Sequence, residues 1–110
     1  MIARSWHGAV PAEHGEAFCK HLSKTGIDGA KSIPGNLGVR IYRKRQGEFE
    51  HFFMISYWVN IEAIKAFAGP EPHIAVEYPG DEKYGLISDP IVIHFEVERV
   101  PEEFPLVFGE

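Results

Sequence analysis

Residues 49–69 read FEHFFMISYWVNIEAIKAFAG, and the way this stretch divides decides the fold. Over residues 49–59 both alternating sets are largely apolar: Phe49, Phe53, Ile55, Tyr57 and Val59 on one side, Phe52, Met54, Ser56 and Trp58 on the other. Successive strand side chains point to opposite faces, so a strand apolar on both is a central strand in a sheet covered on both sides. Asn60 is suited to cap a helix, Ile61, Ile64, Phe67 and Ala68 recur at helical spacing, and Gly69-Pro70 ends the run.

Upstream, residues 37–45 alternate Leu37, Val39 and Ile41 against Arg40, Tyr42 and Lys44, and Gln46-Gly47 turns directly into Phe49. Two strands around so short a loop form an antiparallel hairpin. The chain opens with Ile2, Arg4, Trp6 and Val10 on one parity and Ala3, Ser5, His7 and Ala9 on the other, a first strand ending at Pro11. Pro11, Ala12, Glu13 and Glu16 suit the first turn of a helix to about residue 24. Its apolar stripe is Ala12, Ala17, Phe18, Cys19 and Leu22. Gly26, Gly29, Pro34, Gly35 and Gly38 make residues 25–38 a connection with one helical turn near 28–32.

Downstream, residues 69–90 are irregular, with helical turns expected around 73–77 and 81–86; so long a stretch in a small domain lines a site or covers a sheet edge. Residues 91–100 read as the last strand, with Ile91, Ile93, Phe95 and Val97 opposed to Val92, His94, Glu96 and Glu98. The domain is thus expected over residues 1–100. Phe104, Leu106, Val107 and Phe108 make residues 101–110 a tail expected to dock on its own subunit or on a partner.

At 110 residues the chain has room for one sheet and two helices. A hydrophobic share of 45% excludes disorder, and no apolar run reaches the roughly 18 residues of a membrane span. No signal peptide is evident, and the single Cys19 forms no internal disulfide, which together give a cytoplasmic reading. A net charge of -5 weighs against nucleic acid as a partner.

The order β-α-β-β-α-β is the split βαβ, or ferredoxin-like, arrangement: an α+β subunit with a four-stranded antiparallel sheet. Two helices cover one face of such a sheet, yet the third strand is apolar on both. A second copy of the sheet is the economical cover, so a homodimer is expected.

With this topology the chain resembles the dimeric α+β barrel superfamily and, within it, the antibiotic biosynthesis monooxygenase family. The residues that carry the likeness are IARSWHGAVPAEHGEAF, PGNLGV, HFFMISYWVNIEAIKAFAG and PIVIHFEV. The resemblance implies a pocket between sheet and helices in each subunit, where members oxidise polycyclic phenols without metal or organic cofactor, or degrade haem. Trp58 matches a tryptophan that members place in that pocket. Haem degraders would place an iron-binding histidine on the helix that follows Trp58, where the candidate in this chain, His73, lies beyond the break at Gly69-Pro70 and Pro72, and they use an asparagine on strand one, where this chain has Ser5, His7 and Gly8.

Antiparallel pairing brings the start of strand one to the ends of strands three and four, so Arg4 and Trp6 are expected near Tyr57, Trp58 and residues 94–96. Cofactor-free oxygenation needs a base, a dry aromatic wall and donors that hold the anion while it gives an electron to oxygen. His94 or His73 is then the base, Arg4 and Trp58 hold the anion, and Trp6, Phe52, Met54, Tyr57, Phe67 and Tyr78 contact a small apolar or aromatic substrate. Each has a plainer reading: Trp6 and Trp58 as core, Arg4 paired across strands with Glu96, His94 as an ordinary strand residue. An enzyme would leave open space on the order of several hundred Å³; a binding or interaction scaffold would fill it with Phe52, Met54 and Phe67. His14 and His21 stand two helical turns apart, about 10 Å, too far to share an ion, so no metal site is expected.

Overall fold

The computed structural model describes residues 1–99. Its elements run β1 (Ile2–Pro11), α1 (Gly15–Leu22), α2 (Asp28–Lys31), β2 (Asn36–Gln46), β3 (Phe49–Trp58), α3 (Ile61–Ala68), β4 (Ile87–Ser88) and β5 (Ile93–Glu96). All strand pairings are antiparallel, in the order β2-β3-β1, and both β4 and β5 pair with the outer side of β1. This is the ferredoxin-like sheet, with β1 and β3 at its centre.

Register sorts the two faces. Paired residues project to one side, so Arg4 opposite Ser56, Trp6 opposite Met54 and Gly8 opposite Phe52 all face the helices. There they join Val10, Phe18, Leu22, Ala30, Val39, Trp58, Ile64 and Val92 in one core. Phe18, Phe52 and Trp58 are fully buried, and truncating any of them to alanine costs about 3–5 kcal/mol. The hairpin turns on Gly47, whose φ of 63° suits a residue without a side chain. Asn60 caps α3 as the sequence indicates, its Oδ1 accepting from the Ala63 amide at 2.9 Å.

The first helix departs from expectation. It does not stop near residue 24 but continues through a π-helical turn over Ser23–Ile27 into α2. Its buried stripe is Gly15, Phe18, Leu22, Gly26 and Ala30, while Ala17 is exposed. The glycines stay in the helix because neighbours crowd them. A Cβ on Gly26 would lie 3.1 Å from Leu22 Cδ1 and 3.2 Å from Met54 Sδ, and one on Gly29 would lie 2.8 Å from the Tyr78 hydroxyl.

The last strand is shorter than expected and is divided. Ile93–Glu96 pairs with the start of β1 and Ile87–Ser88 with its end; between them the Asp89 amide donates to His7 O at 3.0 Å. Residues 73–77 form no helical turn. Ile74 instead bridges Ile91, with Ala75 N donating to Pro90 O and Val92 N to His73 O, both at 2.9 Å. The expected turn after residue 81 is a short 3-10 helix, Asp81–Tyr84. The apolar tail at 101–110 lies outside the described residues.

Candidate functional site

Between sheet and helices lies a cleft. β1 supplies Arg4 and Trp6, β3 supplies Met54, the first helix supplies Phe18, Leu22, Thr25 and Gly26, α3 supplies Phe67, and the following segment supplies Val76, Tyr78, Asp81 and Leu86. Its free space is about 30 Å³, room for one or two waters or a few ligand atoms. It adjoins a wider groove of about 320 Å³. Trp6, Val76, Tyr78, Asp81 and Leu86 line both, and Glu77, Glu82 and Ser88 complete the groove.

Arg4 dominates the cleft. Its side chain is 3% exposed, and Nη2 donates to Pro72 O at 3.2 Å and Ile74 O at 3.1 Å. Across the sheet it faces His94, not Glu96, which pairs with Ile2, so the cross-strand ion pair is absent. Its guanidinium has no carboxylate partner among the described residues, and its buried Nε has no hydrogen bond. Burial lowers its pKa to about 10, against a smaller opposing pull from Tyr78. A buried cation held by carbonyls alone is costly, and an anion would relieve it.

The surrounding groups have definite orientations. Gly8 lets the Trp6 indole lie across its own strand, since a Cβ there would come within 2.5 Å of the ring. The indole Nε1 then donates to Ser88 Oγ at 2.8 Å. Burial raises the Tyr78 pKa, Arg4 opposes that shift, and Asp81 adds to it; the phenol stays a donor at neutral pH. Asp81 is held twice: Oδ1 lies 2.7 Å from His21 Nε2, and Oδ2 accepts from the Tyr78 amide at 3.0 Å. This pair ties the segment carrying Tyr78 to the first helix.

Of the residues singled out from sequence, the cleft gathers Arg4, Trp6, Met54, Phe67 and Tyr78. Trp58 stands behind it, fully buried, stacked on Phe67 at 5.6 Å and donating from Nε1 to Ser56 Oγ at 2.9 Å. Phe52 is buried against Phe18 without reaching the cleft. Tyr57 lies opposite Ala3 on the other face of the sheet. His94 shares the helix face with Arg4 and does not line the cleft; its buried Nε2 has no partner among the described residues. Burial, Arg4 and His73, in that order, lower its pKa, so its imidazole is neutral at pH 7. His73 is exposed. Among the described residues no cluster of three or more His, Cys, Asp or Glu is arranged to hold a metal ion.

Sequence reasoning missed the His21–Asp81 pair, Thr25, Gly26, Val76 and Leu86. His21 and Asp81 are 60 positions apart, and nothing in their spacing joins them. Gly26 did carry a signal: a glycine four residues after Leu22 continues the stripe from Phe18 through Leu22.

The fold has known counterparts. The haem degrader MhuD of Mycobacterium tuberculosis, with two haems in its active site, superposes with a TM-score of 0.63 at 22% identity, covering 92% of this chain and 99% of that one. SnoaB, a cofactor-independent oxygenase of Streptomyces nogalater, gives 0.60 at 13% identity, covering 93% and 98%. A Deinococcus radiodurans structure assigned to antibiotic biosynthesis monooxygenases gives 0.59 at 18% identity, covering 99% and 100%. Among curated proteins nothing matches. At such identities these likenesses show the fold alone. The sequence model for antibiotic biosynthesis monooxygenases, however, matches residues 2–76, and the chain belongs to that family.

Proposed function

We propose that this protein oxidises a small hydroxylated aromatic molecule with O2, needing no metal or organic cofactor, and that Arg4 holds the substrate as its anion. The observation that carries this reading is Arg4 itself, a buried guanidinium that lines the cleft with no carboxylate partner among the described residues and with a buried Nε that makes no hydrogen bond there. A phenolate oxygen brought there gains a charge-assisted hydrogen bond in a dry setting, which lowers the phenol's pKa. Tyr78 adds a neutral donor. Asp81, backed by His21, is the carboxylate lining the cleft and takes the hydroxyl proton.

The chemistry then belongs to substrate and oxygen. The anion gives one electron to O2, the two radicals join at a ring carbon para to the oxygen, the resulting peroxide anion takes back the proton held by Asp81, and the hydroperoxide loses water as that carbon's C–H bond breaks. One oxygen atom stays as a carbonyl and the other leaves in water, so phenol plus O2 balances as quinone plus water. Trp6, Val76 and Leu86 wall the groove where the ring would lie, and the cleft's small free space suits the oxygen atoms.

Haem, which MhuD binds, fits these residues poorly. Among the described residues no histidine lines the cleft or the groove, and His73 is exposed.

The working unit is a homodimer. Phe53, Ile93 and Phe95 are 38%, 58% and 52% exposed on the sheet face away from the helices, beside Ile55 and Tyr57. A second copy of that face is the cover these side chains call for.

The test is an oxygen electrode. With 1-naphthol and larger hydroxyarenes, wild-type protein should consume O2 and form quinone, and Asp81→Asn should slow turnover at least tenfold. If no hydroxyarene binds or is consumed, the protein is a non-catalytic dimeric scaffold.

A further inference from the structure

The groove beside the cleft carries a charge opposite to that of the cleft's floor. Glu77 and Glu82 line it with Asp81 and Ser88. Asp81 is engaged by His21, whereas Glu77 and Glu82 are exposed and form no ion pair among the described residues. Lys83 stands in the same helical turn but does not line the groove. A carboxylate pair on a protein of net charge -5 would by itself be ordinary surface. Its position beside a cleft lined by a buried cation that has no carboxylate partner among the described residues is what gives it meaning.

From this we infer that the substrate is dipolar, with an acidic hydroxyl delivered to Arg4 and a basic amine-bearing substituent lying over Glu77 and Glu82. The inference rests on the reading of the cleft as a hydroxyarene site and adds the chemistry of the other end. Trp6, Val76, Tyr78 and Leu86 are shared by cleft and groove, so one flat ring can lie against them with its two ends in opposite fields. A molecule with a carboxylate in place of the amine would meet like charge at the mouth.

The test compares three fluorescent probes on the full chain: 1-naphthol, its 6-aminomethyl derivative and its 6-carboxymethyl derivative. At low salt the aminomethyl probe should bind roughly three- to tenfold more tightly than 1-naphthol, as one or two rim charges allow, and the carboxymethyl probe more weakly. That preference should shrink toward one in E77Q/E82Q and on raising the salt above about 0.3 M. Both glutamates are exposed, so the double variant keeps the fold, and Glu77→Gln alone should show part of the loss. Equal binding of the three probes, or a preference that survives in E77Q/E82Q, overturns the dipolar substrate while leaving the cleft reading standing. Failure of every probe to bind overturns both.

Discussion

Arg4 places its guanidinium carbon 5.4 Å from the centre of the Phe67 ring. The cation therefore rests against an aromatic face and two main-chain carbonyls, with hydrogen-bonding capacity left over at Nε.

Arg4→Met separates the site's two roles. Removing the charge relieves a desolvation cost but strips the Pro72 and Ile74 carbonyls of their donor, so stability should change by less than about 1.5 kcal/mol. Binding of ionised hydroxyarenes should fall about a hundredfold, the loss of one charged hydrogen bond in a dry site. Calorimetric melts alongside fluorescence titration check both; a large stability loss with intact binding would make Arg4 structural.

Gly26→Ala should set stability and binding against each other. Alanine is favoured over glycine in a helix by about 1 kcal/mol, and the two atoms it would press on, Leu22 Cδ1 and Met54 Sδ, end flexible side chains. The variant should melt within a few degrees of wild type, yet the added methyl occupies a cleft of about 30 Å³ and should weaken probe binding about tenfold.

Acid should weaken the fold through His94. Its folded-state pKa is lowered below 6.5, so as pH falls through 6.5 the unfolded chain takes up a proton before the native one does. Stability is therefore lost on the acid side of that value. His94→Asn should show a smaller fall in melting temperature between about pH 7.5 and 5.5 than wild type does.

Phe53→Asp addresses assembly. Wild-type protein should sediment at twice 12.4 kDa, and the variant, with a charge in the middle of the apolar sheet face, at 12.4 kDa. Its fold should persist, because Phe53 points away from the core around Phe52. A wild-type monomer at micromolar concentration would sink the dimer.

Strand pairing was legible in the chain because alternation and a two-residue turn are local signals: β3, the hairpin and the Asn60 cap all stand where the pattern puts them. The helix through Gly26 and Gly29 was not. Glycine read alone is a breaker, and the contacts that favour it here, Met54 from β3 and Tyr78 from a distant segment, exist only once the chain has folded. That Arg4 and Trp6 share one face of the sheet was readable from strand parity. The Asp81–His21 link and the division of the last strand depend on the course of residues 70–92, which carries no periodicity. Of the residues named from sequence, those on β1 came together most fully.

That irregular segment also bears on how the lining of such a cleft can change. Its two ends are stitched to each other by the Ile74–Ile91 bridge and the Ala75 and Val92 amides, so its course is set by peptide groups that every amino acid possesses. Val76, Tyr78 and Leu86 hang from that frame. New side chains there can reshape what is admitted while the scaffold beneath stays put, and a lineage can try out chemistries without relearning how to fold.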